Sequence, residues 1–358
     1  MADVTCLLHT RNRPEFVKRA LKSYVEWLRQ PLIVLDASDS GQHHELVRWL
    51  ASQRLPFTAN VIHHDPPTPL PRRFRDALTH IETRYICLMA DDDFTLPPID
   101  DVVAYLDDCP ESVVAYGQTL RFRIAEGFVP YGDVVDVRFQ RPNPPAHWLD
   151  AHDVEDRLIE LGSAPWSTLG WYAVHRRLAF ERIIDVAAGV DGSMLERMLN
   201  IAQPILGRVS MVDAVSLARQ DDIAVDRGIS RRHVIHSETD LAWVRNCATQ
   251  LLVHHHGFPT ERALSLVATA CAREEHQTRV TRHRKNTLVN HLKKALPPLV
   301  PAIRYARRVR DALNGRDPLA PDTRFPSTPS LTDVHKEIAL IRRACTPLSV
   351  MNGKTKSH

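Results

Sequence analysis

The feature that most constrains this chain is an apolar run, residues 85–90, that ends in three consecutive carboxylates, Asp91, Asp92 and Asp93. A short run of this kind without polar alternation reads as a strand buried on both faces, which places the acids at its carboxyl end. In open α/β sheets that end is where ligands bind. Three adjacent carboxylates raise one another's pKa, so keeping them together costs free energy unless a cation or ligand relieves the repulsion. A hard divalent metal with phosphate oxygens is the natural relief. The plainer alternative is a polar turn in which one aspartate caps a helix that Pro97 and Pro98 help to start.

The preceding sequence supplies the rest of such a sheet. Residues 4–9 read as a first strand, and residues 10–15 as a helix start with Pro14 near the first helical position and Glu15 in the first turn. Phe16, Val17, Ala20, Leu21, Tyr24, Val25 and Leu28 then give one apolar helical face, which Pro31 is expected to end. Residues 32–35 form a second buried strand ending at Asp36 and Ser38, and residues 59–63 a third. Helices are expected over 44–50, around Phe74, Ala77, Leu78 and Ile81, and over 99–106. This alternation predicts a largely parallel sheet with right-handed crossovers.

Beyond the triplet the spacing predicts two separate strands, 112–116 and 119–124, a stiff connector over 141–145, a helix over 154–161, and a strand over 171–174. A helix over 194–201, a late strand over 208–217 and helices across 237–271 follow. From Arg279 the chain becomes basic and Pro-interrupted. Residues 282–313 set Arg282, Arg284, Lys285, Lys293, Lys294, Arg304, Arg307, Arg308 and Arg310 against one acid, Asp311. Leu288, Val289, Leu292, Ala295 and Leu296 make a short apolar stripe among them, a pattern suited to a helix on an anionic membrane or to packing on the domain.

A 44% apolar, 25% charged chain of 358 residues reads as an ordinary globular protein of about two domains or one large one with additions. No run reaches a membrane span and no signal core follows Met1, so a cytoplasmic protein is expected, at the inner face of the cell membrane if the basic segment binds there. Six scattered cysteines without a CxxC pair read as reduced thiols, and a net charge of +3 is too small to imply nucleic acid. His254, His255 and His256 lack zinc-spaced partners, and no Gly-rich phosphate loop or dinucleotide fingerprint is present.

Three segments in this order resemble the nucleotide-sugar-binding half of GT-A glycosyltransferases, of the large inverting family that includes bacterial polysaccharide glycosyltransferases. Residues 6–16, with Asn12, Arg13 and Pro14, resemble that family's first strand and helix start; residues 32–38, with Asp36, resemble its second strand; residues 85–93 resemble its aspartate-rich metal motif. The resemblance implies an α/β, GT-A fold, a Rossmann-like and mostly parallel sheet flanked by helices, with a mainly helical C-terminal extension. Its implied organisation is residues 1–118 as nucleotide-sugar half, 119–225 as acceptor half, 226–275 as helical extension and 276–358 as basic tail. It implies donor contacts from Thr10, Arg11, Asn12, Arg13, Asp36, Ser38, Arg72, Asp91 and Asp92, and manganese or magnesium on Asp91 and Asp93. A looser match, residues 190–197, points to Asp191 as general base with Glu196 as rival, although Val190 stands where the family has its first acid. The expected partners are a nucleoside-diphosphate sugar and a saccharide or lipid-linked acceptor, with no nucleic acid.

The chemistry suits such a transfer. A divalent cation offsets charge on a departing diphosphate, a carboxylate accepts the proton of the attacking hydroxyl, and nearby negative groups are tolerated by oxocarbenium character. Arg73 joins Arg11, Arg13 and Arg72 as a phosphate candidate, while Trp148, Trp166 and Trp171 suit either a sugar face or the core. Two other classes remain open: a nucleotidyltransferase or other metal-assisted phosphoryl-transfer enzyme using the same carboxylates, and a non-enzymatic membrane-surface adaptor built on the basic tail.

Overall fold

The computed structural model describes residues 3–139, 149–163, 169–187, 192–221, 238–276 and 331–347. Strands β1 (Val4–Thr10), β2 (Leu32–Asp36), β3 (Ala59–His63) and β4 (Tyr85–Ala90) are parallel, in the spatial order β3-β2-β1-β4. Next to β4 lies the short β8 (Val174–Arg176), antiparallel both to β4 and to β6 (Ser112–Ile124). Strand β9 (Arg208–Gln220) runs parallel to β6, so both share the direction of the first four. Only β8, β7 (Val134–Phe139), which pairs with β6, and the two-residue β5 (Phe94–Thr95), which pairs with β9, run the other way. The fold is α/β, a mixed, mostly parallel sheet flanked by helices, with a helical C-terminal part, as expected.

Alternate residues of the central strands enter two different cores, which is why those strands are apolar throughout. Leu7, Ile33, Leu35, Ile86 and Leu88 pack with α3 (Leu70–Leu78), α5 (Val154–Gly162), α6 (Arg177–Val186), α7 (Gly192–Leu206) and the helices Glu238–His256 and 260–276. Cys6, Leu8, Val34, Cys87 and Met89 face α1 (Pro14–Tyr24), α2 (Ser40–Ala51) and α4 (Ile99–Asp108) on the other side. Edge strand β3 is the half-exposed one. A third core joins β5, β6 and β9 to Val334, Ile338, Ile341 and Cys345 of the helix Leu331–Cys345.

Three local expectations are corrected. Helix α1 stops at Tyr24 rather than at Pro31, the chain continuing in tighter turns while the Trp27 indole donates to the Thr95 carbonyl at 3.1 Å. The two strands expected around Gly117 are one, β6, which continues through a register shift in its parallel pairing with β9; any Cβ on Gly117 would lie 2.3 Å from the Ala214 carbonyl oxygen. The strand expected over 171–174 is a 3₁₀ turn, Leu169–Tyr172, before β8 begins at Val174. The C-terminal region holds, beyond its basic stretch, a helix that seals the third core. Among the described residues no helix is long and apolar enough to cross a membrane. Residues 141–145, 282–313, Trp148 and Trp166 lie outside the described residues.

Candidate functional site

Parallel register brings the polar ends of three strands to one level. Thr10 of β1 pairs with Asp36 of β2, and His9 pairs with Ala90 of β4, so the acids that follow Ala90 emerge beside the β1 end. The chain between β1 and α1 turns through Asn12, whose φ of 56° lies in the left-handed region that asparagine tolerates. Asn12 then locks the neighbouring loop: its amide N–H donates to Ser38 Oγ at 2.7 Å, its Nδ2 to Asp39 Oδ2 at 3.0 Å, and its Oδ1 accepts from the Asp39 N–H at 2.8 Å. Asp36 is fully buried, accepts the Ser38 N–H at 2.9 Å on Oδ1 and faces His43 Nδ1 at 2.9 Å on Oδ2. The His43 ring stacks on His63 at 3.9 Å.

A cavity of about 600 Å³ opens at these strand ends. Thr10, Arg11, Arg13, Asp91, Asp92 and Glu196 all line it. Its further wall is the 66–70 loop with Arg73, and Trp171 and Tyr172 close the side toward β8. Trp171 packs edge-on against His9 at 5.4 Å and lies 5.9 Å from Phe74, so it belongs to the core and to the cavity wall at once. Burial pushes His9 down to about 4, leaving a neutral ring that donates from Nδ1 to the Met89 carbonyl at 2.9 Å.

The three acids have different surroundings. Asp91 is buried, and both its oxygens are taken: Thr10 Oγ1 donates to Oδ2 and Arg13 Nη1 to Oδ1, each at 2.7 Å. Burial still raises it to about 6, against the pull of Arg13. Asp93 is buried too, accepting the Gln220 N–H at 2.8 Å on Oδ1, with Arg219 Nε 3.5 Å from Oδ2. Burial, with the Asp92 charge, raises it to about 6. Asp92 is the more open carboxylate, held among the described residues by Arg13 Nη1 at 3.4 Å. Across the cavity, burial raises Glu196 to about 7 while Arg219 draws it down.

Among the described residues no group of three or more His, Cys, Asp or Glu side chains is placed to hold a metal ion. With Asp91 and Asp93 committed to protein donors, the triplet fits a cation that arrives with phosphate oxygens and water and needs one or two carboxylates, rather than a protein cage.

Of the residues singled out in the sequence, Thr10, Arg11, Arg13, Asp91, Asp92 and Glu196 come together in the cavity. Asn12, Asp36 and Ser38 form a hydrogen-bonded shelf outside the lining, with the Asp36 and Ser38 side chains buried, and Asp93 is turned into the β9 side. Arg72 is exposed outside the lining; its neighbour Arg73 is buried in it, donating from Nε to the Thr68 carbonyl at 2.9 Å. Asp191 lies outside the described residues. Sequence reasoning missed Tyr172 and Arg219, which approach Asp93 only through tertiary packing, Arg219 lying over the Tyr172 ring at 4.5 Å.

Fold and site together define an α/β protein with a mixed acid and arginine cavity at the carboxyl ends of its parallel strands. No protein-family model matches the chain, and no curated protein matches it by sequence. Solved structures similar to it include S. aureus TarS 1–349, at 12% identity over 79% of this chain and 91% of that one, with a TM-score of 0.43. The same protein in complex with UDP-GlcNAc matches at 11% identity, the same coverage and a TM-score of 0.43. Mannosyltransferase PcManGT from Pyrobaculum calidifontis, in complex with GDP-Man and Mn2+, matches at 15% identity over 99% of this chain and 88% of that one, with a TM-score of 0.38.

Proposed function

We propose that the chain is a glycosyltransferase of GT-A type that moves a sugar from a nucleoside-diphosphate donor to a hydroxyl of a saccharide or lipid-linked acceptor, as in cell-surface polysaccharide synthesis. The observation that carries this reading is the convergence, in one cavity, of Arg11, Arg13, Asp91 and Asp92 from the β1 and β4 ends with Glu196 on the opposite wall. Cations beside carboxylates suit a diphosphate and its counter-ion; a lone carboxyl raised toward neutrality suits a base.

In this reading the nucleoside lies on the shelf of Asn12, Asp36 and Ser38, and its diphosphate lies toward Arg11, Arg13 and Arg73. Asp92 would hold manganese or magnesium, with Asp91 and Asp93 behind it. Such a cation, when bound, offsets the negative charge that grows on the diphosphate as the sugar leaves. Arg13 spans Asp91 and Asp92 and keeps their carboxylates fixed at the cavity floor. Thr10 fixes the other Asp91 oxygen. Glu196 takes the proton of the acceptor hydroxyl, with Asp191 as the alternative base. One base and a direct attack on the anomeric carbon give inversion.

The test is release of nucleoside diphosphate from a panel of nucleotide sugars in the presence of manganese, with simple sugars as acceptors and with water alone. Donor-specific release, abolished in Asp92→Asn, is expected. Release of pyrophosphate from nucleoside triphosphates, with nucleotide sugars inert, would instead make the protein a nucleotidyltransferase.

A further inference from the structure

Arg19 is an anomaly in α1. Its side chain is fully buried, yet among the described residues no carboxylate lies within ion-pairing distance of it. A buried cation without a partner is costly, so its retention calls for another role. Its guanidinium lies against the rings of Phe16, Phe94 and Phe122, at 5.1, 4.6 and 5.9 Å. Its hydrogen bonds are to main-chain carbonyls and one amide: Nη2 to the Asp92 carbonyl at 2.7 Å, and Nη1 to Gln220 Oε1 at 2.7 Å and the Pro130 carbonyl at 3.0 Å.

The acceptors belong to three segments, of which the triplet itself and the end of β9 contact the acids directly and the turn between β6 and β7 reaches them through Arg13. Gln220 ends β9 and donates its N–H to Asp93; its Nε2 also donates to the Val129 carbonyl at 2.9 Å. The turn between β6 and β7 carries Phe128, which stacks on Phe16 at 5.1 Å and lies 4.9 Å from the Arg13 guanidinium that grips Asp91. The same turn is tied to the C-terminal helix, the Gly132 N–H donating to the Cys345 carbonyl at 2.9 Å. Cys345, Ile338 and Ile341 of that helix share the third core with Phe94 and Phe122.

We infer that Arg19 is a positioning residue for the Asp91–Asp93 turn, and that the helix Leu331–Cys345 completes the socket from which it acts. Docking of this helix and the shape of the donor site are thereby linked: loosening the helix loosens the Asp92 carbonyl, and with it the carboxylates. The positive charge behind the triplet also offsets the repulsion among three acids before any ligand arrives. The link to donor binding rests on the proposed glycosyl transfer; the link to the turn does not.

The test therefore has two readouts in the full-length protein. Hydrogen exchange is followed over residues 91–97 without ligand in wild type, Arg19→Met, which keeps the packing between rings, and Ile338→Asp, which expels the helix. Both variants are expected to raise exchange over 91–97 by about tenfold, the equivalent of one or two lost hydrogen bonds, with β2 unchanged. Affinity for nucleoside diphosphate with manganese, by calorimetry, should fall by about tenfold in the same variants. Wild-type protection over 91–97 in Arg19→Met, or in Ile338→Asp while residues 334–345 exchange freely, overturns the inference. Loss of protection with no nucleotide bound even by wild type upholds the linkage and rejects the glycosyltransferase reading instead.

Discussion

At the scale of single residues, the proposed function rests its chemistry on Glu196 and Asp92. Burial holds the Glu196 carboxyl at about 7, above its ordinary 4.5, so at acid pH it keeps a proton and has no base to offer. Turnover should therefore rise with pH through about 7 and then level. The sign for stability is opposite: between 4.5 and about 7 the folded chain holds a proton that the unfolded chain releases, so this group's contribution to stability is lost as pH rises across that window. Glu196→Gln should thus abolish the pH dependence, lower turnover by about 10²–10⁴-fold and spare donor affinity, while removing the stability loss between pH 4.5 and about 7. Steady-state rates and thermal midpoints across pH 5–9 check this, and near-normal turnover in the variant would return the role to Asp191.

At the scale of elements, the approach of β9 to its neighbour β6 at Gly117 is an exacting contact. A Cβ on Gly117 would sit 2.3 Å from the Ala214 carbonyl oxygen and 2.5 Å from Ser216 Oγ, and the Ser216 hydroxyl also accepts the Gly117 N–H at 3.1 Å. Gly117→Ala should cost about 1–3 kcal/mol in denaturant unfolding, since strands rather than a flexible side-chain tip must move. An unchanged midpoint would contradict so close an approach. The same glycine explains why the sequence reads as two strands there: it interrupts the β pattern only because the partner comes near. The parallel strands were legible because both-face burial demands an unbroken apolar run, and the polar residues after each run then had to emerge at the ligand-binding edge. Trp171 and Tyr172 misled because a short aromatic run does not distinguish a strand from a 3₁₀ turn. The helix Leu331–Cys345 carries Val334, Ile338, Ile341 and Cys345 at helical spacing, but a long basic, Pro-interrupted stretch before it hid the stripe.

At the scale of the whole molecule, the candidate site is assembled from two distant parts of the chain. Strand ends near residues 10, 36 and 91 supply the acids and arginines, and α7 and the end of β9 bring Glu196 and Arg219 against them. Arg11, Arg13 and the triplet could be inferred from the first part alone, because local strand order sets their level; the opposite wall depends on how α7 packs across the sheet. The proposed function requires this cavity to bind a nucleoside diphosphate with a divalent cation. Calorimetric titration of the full-length protein with UDP, GDP, ADP and CDP, with and without manganese, tests it most directly. One base should bind in a manganese-dependent manner, with affinity at least about tenfold weaker in Asp92→Asn; binding of none of the four, or unchanged affinity in that variant, would contradict it.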